Sequence, residues 1–169
     1  MSAISLRPYL PADAARCAEI FRASVKELAS EDYNADQCEV WAAVADDKAP
    51  FAARLGKALT LIALVDGEPA GFASLLGADV VDLIHVDPRF ARRGVGAALL
   101  DALTRLSVAR GAQRLTGEVS DTARPLFERQ GFQAQRRNLV QLDGEWLANT
   151  TMTKPLASPP ADAPAPTRH

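Results

Sequence analysis

The chain has few of the side chains on which several common chemistries depend. Its 169 residues include two cysteines and two histidines, and aromatic residues make up only 6%. Cys17 and Cys38 form no C-x-x-C pair, and His169 falls in a proline-rich terminus, so His85 is the only histidine of the body. That inventory does not assemble a tetrahedral zinc shell, and no metal site is expected. No G-x-S-x-G elbow presents a nucleophilic serine. Cys17 is in helical phase with Ile20, Phe21, Ser24, Val25 and Leu28, which reads as buried packing rather than as an activated thiol.

Long apolar runs are also missing. The longest, residues 40–45, has six residues, against the ~18–20 that span a bilayer. The opening residues, Met1 to Arg7, lack the basic, apolar and cleavage segments of a secretory signal, so the expected location is cytoplasmic, with no membrane partner. An excess of basic charge is absent too: 19 Lys and Arg stand against 21 Asp and Glu, a net charge of −2. Arginines occur in isolated pairs, Arg92-Arg93 and Arg136-Arg137, without the broad basic patch that tracks phosphates, and no nucleic-acid partner is expected.

What is present describes one globular unit. At 48% hydrophobic and 24% charged, a chain of this length buries roughly two thirds of its unfolded surface in one core. A single domain is expected over residues 1–154. Residues 155–169 hold five prolines in fifteen positions without periodicity, the composition of a disordered tail.

The pattern predicts a strand at 4–8, a helix from about Asp13 to Ser30, and a helix after Asn34 as N-cap, ended by Asp46-Asp47. Residues 33–54 thus form a helical insert. Apolar runs at 59–65 and 70–76 flank Asp66-Gly67, a strong hairpin signal, and Asp143-Gly144 divides a second hairpin over 132–154. A strand at 80–86 places Asp82, Ile84 and Val86 on one face, with Leu83 and His85 on the other. Residues 94–110 read as a long amphipathic helix, 113–119 as a strand and 122–130 as a short helix. The helix over 94–110 suits a crossover between parallel strands, while the hairpins force antiparallel neighbours. The expected fold is α+β, a mixed and mostly antiparallel central sheet with helices on both faces.

Residues 87–100, D-P-R-F-A-R-R-G-V-G-A-A-L-L, carry most of the chemical information. A strand ends, a basic loop follows, and two glycines open the long helix. The first N–H groups of a helix have no intrahelical partner and sit at the positive end of the macrodipole. Gly94 and Gly96 let backbone approach a bulky anion, and Arg92 and Arg93 add charge. The run is neither a P-loop, G-x-x-x-x-G-K-S/T, nor a dinucleotide fingerprint, since Leu99 stands where the third glycine would fall.

Taken whole, R-R-G-V-G-A-A-L-L after V-D-P resembles the acyl-CoA signature of the GNAT N-acetyltransferase superfamily, Q/R-x-x-G-x-G/A at a helix start. P-L-F-E-R-Q-G-F at 125–132 resembles that family's later L-Y-E-x-x-G-F segment, and I-S-L-R-P with Asp13 its opening strand and turn. The resemblance spans residues 4–154 and implies an acyl-CoA N-acyltransferase-like fold with acetyl-CoA as co-substrate. It implies a pyrophosphate held by Arg92, Arg93, Gly94, Val95, Gly96 and Ala97, and a pantetheine arm beside Ile84, His85 and Val86, in a gap between strands that splay apart. Ser120 and Phe127 fall where the family contacts the cofactor. Two positions depart from the pattern: Ala91 replaces the usual Gln or Arg, and Phe127 replaces a tyrosine that protonates the departing thiolate.

The implied reaction is direct acetyl transfer to a primary amine. The acceptor is a small molecule or a peptide amine, and polyamine, amino-sugar, amino-acid and protein amines all stay open, as does assembly into a homodimer. A proton acceptor is then needed, and Asp82, Glu118 and His85 are the candidates; burial would bring either carboxylate toward a useful range. Structural roles compete with each: a loop hydrogen bond for Asp82, a solvated strand position for Glu118, a core histidine for His85. Ser120 has a rival role as N-cap, and Tyr33 and Trp41 read as packing of the insert. An acyl-CoA-binding sensor without turnover is the alternative that Phe127 raises.

Overall fold

The computed structural model describes residues 3–157. Seven strands form one mixed sheet in the order β1-β2-β3-β4-β5-β7-β6. They are β1 (Ile4–Pro8), β2 (Leu59–Val65), β3 (Glu68–Leu76), β4 (Val80–Val86), β5 (Arg114–Ser120), β6 (Gln133–Leu142) and β7 (Glu145–Pro155). All neighbours are antiparallel except β4 and β5. The two predicted hairpins form on turns whose central residues both have positive φ, Asp66 and Gly67 at 51° and 84°, Asp143 and Gly144 at 49° and 85°. That is the hand that matches the twist of the flanking strands.

Helices α1 (Ala14–Ala23), α2 (Ala35–Ala42) and α3 (Lys48–Lys57) cover one face, and α4 (Val95–Ala109) and α5 (Arg124–Arg129) the other. The first core gathers Ile20, Phe21, Phe51, Leu55, Ile62 and Phe72; the second gathers Leu99, Leu100, Leu103, Leu115, Phe127 and Met152. Asn34 caps α2 as expected: its Oδ1 accepts from the Gln37 N–H at 2.8 Å, and Gln37 Oε1 accepts from the Asn34 N–H at 2.8 Å, a reciprocal box that satisfies two end donors. No helix among the described residues is long and apolar enough to cross a membrane.

Three expectations are corrected. The helix expected to run to Ser30 is α-helical only to Ala23, then widens into a π-helical turn over Ser24–Leu28 and a 3-10 turn over Ala29–Glu31. The wider turn lets the consecutive residues Ser24 and Val25 both face inward. The insert holds a further helix, α3, whose Phe51 and Leu55 lie one turn apart and are buried. The strict alternation expected along β4 fails at Asp82. Ser74 pairs with Leu83 but Leu75 with Val81, so Asp82 is an extra residue in a β-bulge. Ile84 and Val86 pack against the α4 core, whereas Asp82 turns toward α3 and joins the side of Leu83 and His85.

At the other end β7 runs to Pro155, and the Leu156 N–H donates to Gln113 O at 2.9 Å. Residues 155 and 156, expected to belong to the disordered tail, thus pair in the sheet, and residues 158–169, on which the rest of that expectation falls, lie outside the described residues.

Candidate active site

Parallel pairing between β4 and β5 is confined to Val80↔Thr116 and Val81↔Gly117. Beyond those positions the strands part, leaving residues 82–86 of β4 and 118–120 of β5 without ladder partners across the gap. A cleft of about 610 Å³ opens there, lined by both strands, the helical insert and the β6–β7 hairpin.

The glycine turn lies at the C-terminal end of β4. Gly94 has φ +86°, a left-handed N-cap with no side chain to cap the helix, and Arg92 has φ +63°. The Ala98 N–H bonds Gly94 O at 3.0 Å, so the N–H groups of Val95, Gly96 and Ala97 precede the intrahelical ladder. Gly96 permits close packing of α4 on α5, since a Cβ there would sit 3.1 Å from Leu126 Cδ2.

Asp87, buried at the end of β4, anchors this loop. Its Oδ1 accepts from the Arg89 N–H at 2.9 Å, and its Oδ2 accepts from Arg16 Nη2 at 2.6 Å and Arg89 Nη2 at 3.1 Å. Burial opposes the charge of Asp87, but the hydrogen bonds from Arg89 and Arg16 outweigh it and hold the carboxyl below its ordinary range. Arg16 also donates to Pro69 O at 3.1 Å, tying α1 to the start of β3.

The sequence model of the acetyltransferase (GNAT) domain matches residues 29–156. The chain belongs to the GNAT acetyltransferase family. It is 34% identical over 152 residues to the "uncharacterized N-acetyltransferase YafP" of Escherichia coli (strain K12), covering 90% of this chain and 96% of the relative. A crystal structure of a GCN5-related N-acetyltransferase from Rhodopseudomonas palustris superposes with a TM-score of 0.90 at 54% identity, over 92% of this chain and 98% of that one. The PaiA N-acetyltransferase of Thermoplasma acidophilum, solved in complex with coenzyme A, shares the fold with a TM-score of 0.72 at 18% identity, over 90% and 99% of the two chains.

Within this GNAT domain Asp82, Glu118, His85, Ser120 and Phe127 all line the one cleft. Asp82 is engaged on both oxygens: Arg54 donates from Nε at 2.8 Å and from Nη2 at 3.1 Å. Glu118 is exposed rather than buried, and among the described residues its carboxylate has no hydrogen-bond or ion-pair partner. His85 is buried against Phe21, Phe72 and Trp41, with ring centroids 4.4, 5.7 and 6.2 Å away, and its Nδ1 lies 3.1 Å from Ser24 Oγ. Burial, aided by the charge of Arg54, lowers its pKa to about 3, so the ring is neutral at ordinary pH.

Ser120 Oγ accepts from the Ala123 N–H at 3.1 Å and so braces the turn before α5; the rival role as N-cap is not filled, because Ala123 is the N-cap of that helix and has no side-chain cap bond. Phe127 is buried edge-on to Phe132 with centroids 4.8 Å apart. Ile84 and Val86 pack against the α4 core, and Arg92, Arg93 and Gly94 are exposed at the turn. Sequence reasoning missed Arg54, Arg16 and Ser24, each a polar partner from a distant helix. Tyr33 is more than packing: its hydroxyl donates to Ala148 O at 2.6 Å and accepts from the Asp121 N–H at 2.9 Å, locking β7 to the loop after β5. Burial pushes its phenol pKa up.

Proposed function

We propose that this GNAT domain transfers the acetyl group of acetyl-CoA directly to a primary amine. The observation that carries the reading is the uncapped glycine turn of α4 standing at the mouth of the β4–β5 gap. N–H groups of Val95, Gly96 and Ala97, with Arg92 and Arg93, would hold the pyrophosphate. The open edge of β4 at Ile84, His85 and Val86 offers backbone partners to the pantetheine amides, with Ser120 and Phe127 across the gap. Acetyl-CoA supplies an activated thioester. Its carbonyl would meet strand N–H groups, which stabilise charge on oxygen as transfer proceeds.

An alkylamine with pKa ~10.4 is neutral only about once in a few thousand molecules at pH 7, so a proton acceptor matters. Of the three candidates, Asp82 has both oxygens taken by Arg54, and His85 is a weak base with a pKa of about 3. Glu118 lines the cleft with a carboxylate that no side chain or backbone donor engages among the described residues, and we assign it the proton. Phe127 has no proton to give, and a thiol of pKa ~8.5 leaves tolerably as thiolate without one. Phe127 would equally suit an acyl-CoA sensor without turnover. Thermal denaturation with acetyl-CoA, followed by free-thiol release with a panel of amines, tests the reading. Stabilisation with amine-dependent thiol release is expected; no shift at millimolar acetyl-CoA overturns it, and a shift without release by any amine favours the sensor.

A further inference from the structure

We infer that the acceptor is an amine on an aromatic or branched apolar body that carries no carboxylate. The inference rests on the transfer reading above and concerns the acceptor half of the same cleft. Three charged residues line it, Arg54, Asp82 and Glu118. The bidentate contact between Arg54 and Asp82 cancels two of them, which leaves one open carboxylate and no open cation. An ammonium group is therefore attracted, while a carboxylate on the acceptor meets Glu118 and finds the one guanidinium already closed on Asp82.

The remaining polar groups are largely committed to the fold. The Tyr33 hydroxyl donates to Ala148 and accepts from Asp121, Ser120 Oγ accepts from Ala123, and Asn149 Oδ1 accepts from Asn138 Nδ2 at 2.9 Å. A polyhydroxylated acceptor would find few partners here beyond the Thr116 and Ser120 hydroxyls and the Asn149 amide nitrogen, too few to replace the water it loses. Apolar side chains supply the walls instead, Phe21, Trp41 and Val44 on the insert side and Val140, Leu142 and Leu147 on the hairpin side. Val44, Arg54 and Leu142 also line an adjoining groove of about 390 Å³. Its other charges, Asp47 and Asp143, are again acidic, so the path outward continues to reject anions.

Matched acceptors isolate each feature. Thiol release from acetyl-CoA is measured with phenethylamine, phenylalanine (the same body with a carboxylate), ethanolamine (no apolar body) and kanamycin. The expected result is a kcat/KM for phenethylamine at least tenfold above each of the others. Glu118→Gln removes the proton acceptor and should lower kcat, and through the lost charge should also raise KM for phenethylamine about tenfold, while stabilisation by acetyl-CoA in thermal denaturation stays unchanged. Trp41→Ala should narrow the preference for phenethylamine over ethanolamine. Equal use of phenylalanine or ethanolamine overturns the inference, as does turnover of any of the other amines without turnover of phenethylamine, whereas stabilisation with no turnover of any amine is failure of the transfer reading. Absence of stabilisation by acetyl-CoA removes the transfer reading itself, so the two failures are distinct.

Discussion

Gly94 sits where only glycine rests without strain. At φ +86° an L-residue costs about 1–2 kcal/mol, and a Cβ would meet nothing closer than Ile4 Cδ1 at 3.8 Å. The penalty is conformational rather than steric. Gly94→Val should therefore fold, lose about 1–2 kcal/mol in urea unfolding, and lose acetyl-CoA affinity because the turn can no longer aim its N–H groups. Unchanged affinity would refute the pyrophosphate assignment.

His85 makes a separate prediction, because its folded pKa of about 3 lies below the ordinary 6.5. Above pH 6.5 neither state is charged and the residue costs nothing. As pH falls below 6.5 the unfolded chain takes up a proton that the folded one refuses, so stability declines until about pH 3. Between pH 7 and pH 5 the loss is about 2 kcal/mol, and His85→Phe should flatten that slope in urea titrations at the two pH values. At this scale the sequence exposed Gly94 and Phe127 through motif spacing, and Glu118 through its place on the strand at 113–119. Arg54 and Arg16 were invisible, since their partners Asp82 and Asp87 lie 28 and 71 positions away. Ser24 was seen as packing, and its bond to His85 depends on a π-helical turn that no periodicity announced.

Elements were read more fully than side chains wherever local chemistry decides them. Asp-Gly turns, the Asn34 cap and the stripe of α4 each encode their structure within a few residues. The bulge at Asp82 does not, because it arises from register against β3, and it moved a candidate carboxylate to the opposite face. Helix α3 escaped notice because Asp46-Asp47 reads as an end while a 3-10 turn, Ala43–Asp46, links it to α2. Helix α5 brings Phe127 to the gap between β4 and β5, against Gly117, where a Cβ would come 3.6 Å from the Phe127 ring. On the proposed reading Phe127→Tyr would place a phenol beside the departing thiolate. Single-turnover kinetics should show a rise in rate of at most tenfold, modest because a thiolate already leaves well. An unchanged rate would show that no donor is missing.

For the whole molecule, a ligand held only by the folded state at 100 times its Kd adds about 2.7 kcal/mol. In a chain of this length that corresponds to a rise of roughly 5–10 °C in Tm, the magnitude expected for acetyl-CoA. The two-rung seam at Val80↔Thr116 and Val81↔Gly117 bears on how that stabilisation spreads. Four strands lie on one side of the seam and three on the other, so the sheet is two rafts lashed together at one end. A pantetheine arm held between them, as proposed above, would act as a splice, continuing the lashing along residues that the protein leaves unjoined. Amide hydrogen exchange should then slow on acetyl-CoA binding not only along residues 82–86 but also across β5 and β7. On the proposed reading the co-substrate would be a removable strand of the sheet, and each departure of product CoA would reopen the gap while the two cores still hold both sides of the seam together.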